Sequence, residues 1–230
     1  MLKILYQDDD FIAINKPNGI LVHRTKIAQD TEGFALQLLR NQIKQRVYPI
    51  HRLDKPTSGV LLFGLHSEAA KQMVTAFTNR TIEKQYWAIV RGYTEKEAVI
   101  DYALQIDKYK PRKQAITEYK TIQKIEIPQP IGRYKTARYS WIEATPKTGR
   151  MHQLRKHFKH IFHPIIGDRK YGDRDHNRYF REELGYTSLF LLARSLKFVH
   201  PFSKETITIT APLSEEMAQV FQSFNWETSV

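Results

Sequence analysis

Short runs of β-branched and aromatic residues recur along the chain and predict most of its strands. Runs of this composition, bounded by turn residues, are typical of β-structure. The predicted strands cover residues 11–15, 59–63, 84–91, 115–124, 136–145, 189–196 and 205–210. In the last of them Ile207 and Ile209 alternate with threonines, as a strand with one buried face requires.

Apolar residues at helical spacing predict four helices between these strands. Ser67 and Ser214 are expected to cap two of them, because a serine hydroxyl accepts a hydrogen bond from the first turn. The expected buried faces are Ala70, Met73, Val74 and Phe77; Met217, Val220, Phe221 and Phe224; Met151, Leu154, Phe158, Ile161 and Phe162; and Leu36, Leu39 and Ile43. Strands outnumber helices without strict alternation, which favours the α+β class with a mixed, largely antiparallel sheet.

Two polar stretches are predicted to be exposed loops. Residues 107–113 are rich in lysine and arginine, and are either solvated surface or a flap that contacts phosphates. Residues 168–181 carry many charges and two nearby glycines, and a loop of that length in a folded domain is often functional.

The net charge of the chain narrows the choice of binding partner. The 230 residues carry 36 Lys and Arg against 24 Asp and Glu, a formal net charge of +12. This excess favours a polyanion such as RNA or DNA, although a basic protein kept soluble by its charge remains an alternative. The absence of cysteine excludes disulfides, thiolate metal sites and a cysteine nucleophile. Neither a signal peptide nor an apolar run of ~20 residues is present, so we expect a cytoplasmic protein without a membrane span.

The segment HRLDKPTSG at residues 51–59 is the first candidate for chemistry. Pro56 and Gly59 predict a turn before a buried strand, which would hold the carboxylate of Asp54 on a rigid loop. The alternative is a purely local turn in which Asp54 bonds only nearby backbone N–H groups. A kinase loop is disfavoured, because Leu53 separates Arg52 from Asp54 and no glycine-rich phosphate loop is present.

The segment KTGRMHQLRKH at residues 147–157 is the second candidate. Arg150 and Arg155 are placed to contact phosphates, or one of them to pair with a buried carboxylate; the alternative is a solvated basic helix face. The histidines at positions 152, 157, 160 and 163 do not share one helical face and have no carboxylate among them, so no metal site is expected.

Five segments, in this order, resemble the RluA-type family of pseudouridine synthases. They are IAINKPNGILVH (12–23), HRLDKPTSG (51–59), KQYWAIVRG (84–92), TGRMHQLR (148–155) and HPIIGD (163–168). The resemblance covers nearly the whole chain. It implies the α+β pseudouridine synthase fold, with helices and loops around a central RNA-binding cleft. It also implies one catalytic domain over residues 1–230, without a separate N-terminal RNA-binding module.

The resemblance also implies roles for individual residues. Asp54 matches the catalytic aspartate, Tyr86 the tyrosine that stacks on the target base, and Arg155 the arginine that pairs with the aspartate. Arg52 matches the arginine that enters the RNA where the base has left, and Leu191 falls near an apolar residue that packs on the uracil. His51, Arg150, Gln153 and Lys16 are expected as further RNA contacts. The chain departs from the family at Leu191-Leu192-Ala193, where Leu-His-Ala is usual.

The activity implied is the isomerisation of uridine to pseudouridine in RNA. Nothing is oxidised and no group is donated, so no cofactor is expected. A finer likeness over residues 132–139 and 146–173 indicates tRNA as the substrate and uridine 65 as the target. The alternatives are 23S ribosomal RNA as the substrate, or a non-catalytic RNA-binding or chaperone protein. No obligate protein partner is evident.

Overall fold

A computed structural model of the chain describes residues 1–23, 33–106 and 109–227. The described residues contain ten strands and five helices. The strands are β1 Lys3–Gln7, β2 Phe11–Lys16, β3 Tyr48–Pro49, β4 Ser58–Gly64, β5 Glu83–Arg91, β6 Glu97–Asp101, β7 Ile116–Ile127, β8 Ala137–Pro146, β9 Leu191–Val199 and β10 Thr206–Thr210. The helices are α1 Ala35–Ile43, α2 Ser67–Thr78, α3 Gln153–His160, α4 Arg174–Glu182 and α5 Glu215–Ser223.

The chain divides into two units, each built from two separate segments. Unit 1 comprises Met1–Lys84 and Leu192–Pro212, and unit 2 comprises Gln85–Leu191 and Leu213–Val230. One catalytic domain over residues 1–230, with a central RNA-binding cleft, stays a prediction. No helix in the described part of the chain is long and apolar enough to cross a membrane.

In unit 1, the central strands β2 and β4 are apolar along almost their whole length. Their antiparallel pairing runs from Phe11 opposite Gly64 to Lys16 opposite Gly59. All seven residues of β4 are buried, as in a strand covered on both faces. Helix α2 lies close to the end of β4, where a Cβ on Gly64 would come within 2.8 Å of the backbone of Ala70. On the other side β4 pairs in parallel with β9.

In unit 2, strand β8 pairs antiparallel with both β5 and β7, and β6 pairs antiparallel with the other edge of β7. The period of two along a strand sends alternate side chains to opposite faces. Ala88 and Val90 of β5 join Ile142 and Ala144 of β8 in a cluster that includes Leu154 and Phe158 of α3. On the opposite face, Trp141 packs against Trp87 and against Phe221 of α5. Both faces of this sheet are therefore covered by helices.

The predicted α+β class and its largely antiparallel pairing are confirmed, with several corrections. Strands β1, β3 and β6 were not predicted, and α4 lies within the stretch expected to be an exposed loop. The cap of α2 is His66 and not Ser67, whereas Ser214 caps α5 as expected. Met151 and Phe162 are exposed, because α3 is shorter than the apolar pattern that predicted it. Positions 107 and 108 of the basic loop lie outside the described residues.

Gly59 lies opposite Ala193, where β4 pairs with β9. Its φ is +109°, and an added Cβ would lie 2.2 Å from the carbonyl oxygen of Ala193. Both the backbone conformation and the close approach therefore require glycine at this position. Gly59 comes five positions after Asp54. The same constraint therefore fixes where the loop that carries Asp54 ends.

We expect Gly59→Ala to lower the free energy of unfolding by at least about 3 kcal/mol, because a methyl group cannot enter without separating β4 from β9. Chemical denaturation monitored by tryptophan fluorescence measures the change. Gly149→Ala is the matched control, since no atom lies within 4 Å of a Cβ at that position. Equal stabilities for the two variants would show that the close approach at Gly59 is not a real constraint.

Candidate active site

Asp54 lies in a tight turn that other parts of unit 1 hold in place. The turn is closed by a 3.0 Å hydrogen bond from the N–H of Thr57 to the carbonyl of Asp54. The carbonyl of Lys55 accepts from the N–H of Gly19 at 3.0 Å, and the side-chain amide of Asn18 donates to the carbonyl of Pro56 at 2.6 Å. The predicted turn is confirmed, and the sequence does not predict the tether from Asn18.

Lys16 supports this turn through hydrogen bonds from its buried ammonium, which corrects its expected role as an RNA contact. Its side chain is fully buried, and its ammonium donates to the carbonyls of Pro17, Ile20 and Lys55 at 2.8, 2.9 and 3.1 Å. Burial lowers the pKa of Lys16 to about 7, and the negative charge of Asp54 opposes this shift. An ammonium used in this way is not available to a phosphate.

His51 is also a supporting residue and not the RNA contact that was expected. Its Nε2 accepts a 3.0 Å hydrogen bond from the N–H of Leu62 in β4, and its ring stacks on Phe77 of α2. Burial, and then the positive charge of Lys84, lower the pKa of His51 to about 3. The imidazole is therefore neutral at any physiological pH, and it continues the hydrogen bonding of β4 beyond the short strand β3.

Arg155 of α3 forms a buried ion pair within unit 2. Its Nε lies 2.7 Å from Oδ2 of Asp168, and its Nη2 lies 2.8 Å from Oδ1. The ring of Tyr171 covers the guanidinium at 5.1 Å. The sequence motifs assign no role to Asp168 or Tyr171, although both residues lie in the stretch that begins with the HPIIGD motif. Pairing of Arg155 with Asp54 stays a prediction.

Gln153 anchors the start of α3, which corrects its expected role as an RNA contact. Its carbonyl accepts from the hydroxyl of Thr148 and the N–H of Arg150 at 2.7 and 3.0 Å. Its amide donates to the carbonyl of Ile116 at 2.9 Å and to the hydroxyl of Thr117 at 3.0 Å. Buried and fully hydrogen-bonded, Gln153 has no group left for a ligand.

The remaining candidates differ in exposure. Tyr86 is half-buried on β5 and packs against the core cluster that α3 covers, so it shares a face of unit 2 with the helix that carries Arg155. Leu191 is a member of that cluster and only 4% exposed. Arg52 is exposed, and Arg150 is half-buried with its Nε donating to the carbonyl of Gln114. Contacts of these four residues with RNA stay predictions.

Asp8, Asp10 and His200 bring three possible metal-ligand atoms within 4.8 Å of one another in unit 1. The Nδ1 of His200, however, accepts from the backbone N–H groups of Phe202 and Ser203 at 3.3 and 3.1 Å. A neutral imidazole with an accepting Nδ1 carries its proton on Nε2, the atom that lies 3.1 Å from Asp8. A metal at Nε2 would require the proton to move to Nδ1, where it would face these two N–H groups, so this geometry favours electrostatic contact with the carboxylates.

We expect Lys16→Met to lower the free energy of unfolding by about 2 kcal/mol near pH 7, because buried carbonyls lose their donor. Between pH 7 and 10 the folded chain binds fewer protons than the unfolded chain, since burial lowers the pKa of Lys16 to about 7. The stability of the wild type relative to the variant should therefore rise with pH over this range. Lys55→Met, at an exposed position of the same turn, is the control. Urea denaturation at several pH values measures both effects, and a difference that falls with rising pH would contradict the assignment.

Comparisons with known proteins agree with the resemblance in the motifs. The family model described as RNA pseudouridylate synthase matches residues 10–160. The tRNA pseudouridine synthase C of Haemophilus influenzae is 50% identical, and the alignment covers 99% of both chains. The protein of the same name from Vibrio parahaemolyticus is 46% identical, over 98% of this chain and 96% of its own.

Solved structures agree on the fold. Human RNA Pseudouridylate Synthase Domain Containing 1 superimposes with a TM-score of 0.73 at 22% identity, covering 99% of this chain and 96% of its own. Human RNA Pseudouridylate Synthase Domain Containing 4 has the same TM-score at 25% identity, covering 97% and 93%. From the matched family model and these full-length relatives, we conclude that the chain belongs to the RNA pseudouridylate synthase family.

Proposed function

We propose that this enzyme converts uridine 65 of tRNA to pseudouridine, with Asp54 as the catalytic carboxylate. The observation that carries the choice of substrate is the 50% identity, over nearly the whole chain, with a relative named for tRNA. RNA is gripped by contacts spread over a large surface, so identity along the full length supports a shared substrate better than a shared motif does. A cytoplasmic location accords with such a substrate.

The reaction exchanges one bond for another and needs no external reagent. The N1–C1′ glycosidic bond breaks, the uracil turns, and a C5–C1′ bond forms; C5 loses its proton and N1 gains one. The sugar becomes electron-poor on the way, as in glycoside chemistry. A carboxylate suits this step, either attacking C1′ or removing a ribose proton. The hydrogen bonds from Gly19, Asn18 and Lys16 hold the turn of Asp54 in advance of substrate binding.

Three further residues have proposed roles around the flipped base. Flipping a base out of its stack costs a few kcal/mol, and stacking on an aromatic ring such as that of Tyr86 returns ~1–3 kcal/mol. Arg52, exposed and two positions before Asp54, is suited to fill the space that the base leaves. Arg155 is suited to hold a carboxylate, because its guanidinium is planar and stays charged.

Exposed arginines support binding to a helical stem. Helix α4 presents Arg174, Arg178 and Arg181 at its surface, and the half-buried Arg150 lies before the start of α3. The major groove of an A-form stem is too deep for side chains to read, so contacts to phosphates and 2′-hydroxyls suit this target. A uridine in a stem is also base-paired, which makes such compensating contacts more necessary.

We expect Asp54→Asn to abolish pseudouridine formation and to leave tRNA affinity nearly unchanged, because the amide keeps the shape of the side chain but loses the carboxylate. Single-turnover assays with excess enzyme and filter binding measure the two quantities separately. Asp9→Asn, an exposed position in unit 1, is the control and should retain full activity. Turnover by Asp54→Asn, after contamination and deamidation are excluded, would remove Asp54 from the mechanism.

A deletion strain tests the substrate. We expect it to lose pseudouridine at position 65 of tRNA while its ribosomal pseudouridines remain, as read by carbodiimide-based mapping. A plasmid with the wild-type gene should restore the modification, and one with Asp54→Asn should not. A missing 23S ribosomal site with tRNA intact would replace the tRNA proposal, and intact pseudouridines throughout would favour the non-catalytic alternative.

A further inference from the structure

The guanidinium of Arg155 is held along one edge by a single carboxylate. Asp168 accepts from both Nε and Nη2, the side-on arrangement that fixes rotation of the guanidinium as well as its position. The two side chains are 7% and 1% exposed, so solvent has little access to the pair. Arg155 is therefore kept in one orientation before any substrate arrives.

Asp168 is itself locked by the loop that carries it. Its Oδ1 accepts from the backbone N–H groups of Lys170 and Tyr171 at 2.9 and 3.0 Å, in addition to Arg155. Its carbonyl accepts from the N–H of Gly172 at 2.9 Å and from the side-chain amide of Asn177 at 2.9 Å. Burial raises the pKa of Asp168, but the hydrogen bonds from Arg155 and the backbone outweigh burial and lower it overall. The carboxylate is thus charged and immobile.

Two glycines make this loop possible. A Cβ at Gly167, whose φ is +78°, would lie 1.9 Å from the carbonyl oxygen of Ser188. A Cβ at Gly172 would lie 2.2 Å from the carbonyl oxygen of Asp168. The chain therefore folds tightly around the carboxylate at both ends of the loop. Such close approach requires glycine and leaves the loop little freedom to move.

Tyr171, from the same loop, restrains the face of the guanidinium. Its ring lies 5.1 Å from Cζ of Arg155, and its hydroxyl lies 2.9 Å from Nδ1 of His152, the residue that precedes α3. Arg155 is consequently restrained on one edge by Asp168 and on one face by Tyr171. Both restraints come from residues 168–172.

We propose that Asp168 is a positioning residue for the isomerisation, which acts by fixing the guanidinium of Arg155 in the orientation that the reaction uses. The inference rests on the proposed function, in which Arg155 is one of the residues that serve the reaction. Stability alone is a weak explanation for a buried ion pair, because apolar side chains of similar volume stabilise a core as well or better. A small displacement of a group that orients the reacting atoms, in contrast, costs much of the rate.

We expect Asp168→Asn to lower the single-turnover rate at saturating enzyme on the order of 100-fold, with little change in tRNA affinity. The matched control is Asp173→Asn. Asp173 also pairs with an arginine, Arg91, and also accepts two backbone N–H groups as the cap of α4, but it does not touch Arg155. Its variant should keep the wild-type rate. An Asp168→Asn rate within about threefold of wild type overturns the inference.

A double-mutant cycle separates positioning from general structural damage. In a background of Arg155→Gln, Asp168→Asn should cause no further loss of rate if Asp168 acts only through Arg155. Losses that multiply would show an independent effect and overturn the proposal. If Asp168→Asn does not fold, Asp168→Glu tests the proposal instead, because this variant keeps the charge but moves the carboxylate. A wild-type rate for Asp168→Glu also overturns the proposal. Failure of the wild type to modify tRNA would instead refute the proposed function.

Discussion

A lysine ammonium removed from water must find acceptors for its N–H groups, and Lys16 finds three backbone carbonyls within 3.1 Å. One of these carbonyls belongs to Lys55, in the turn of Asp54, and the other two belong to the turn that follows β2. The side chain thus joins two turns that lie at one end of the paired strands β2 and β4. Together with the hydrogen bonds from Gly19 and Asn18, this bond ties the turn of Asp54 to its neighbour.

The same principle operates in unit 2 with the charges reversed. The carboxylate oxygens of Asp168 accept hydrogen bonds from Arg155 and from backbone N–H groups. The side chain is therefore held in place and is not a candidate for chemistry. The two aspartates are therefore candidates for different roles. Asp54 lies in a half-buried turn and is the candidate for chemistry, whereas Asp168 is buried and is the candidate for orienting the arginine.

Motif residues in this chain are thus of two kinds. His51, Lys16 and Gln153 lie in the segments that identify the family, but each is engaged inside the protein and supports a segment that carries a candidate catalytic residue. Gln153 fixes the start of α3 two positions before Arg155, and His51 fixes the strand that follows Asp54. A sequence motif contains both the residues that contact substrate and the residues that hold those contacts in place, and it does not distinguish between them.

The sequence by itself determined the α+β class, the central strands, the serine cap of α5, the turn of Asp54 and the family, because these depend on local composition, spacing and motif order. Only the tertiary structure decided that Lys16 is buried, that His66 caps α2 and that Arg155 pairs with Asp168. It also decided that residues 174–182 form a helix, whose buried side is only His176 and Phe180 in a strongly charged stretch. The physical reason is that each of these outcomes depends on groups that other segments of the chain supply. The carbonyl of Lys55 lies 39 positions from Lys16, and Asp168 lies 13 positions from Arg155. Local patterns carry no information about which distant group will satisfy a buried charge.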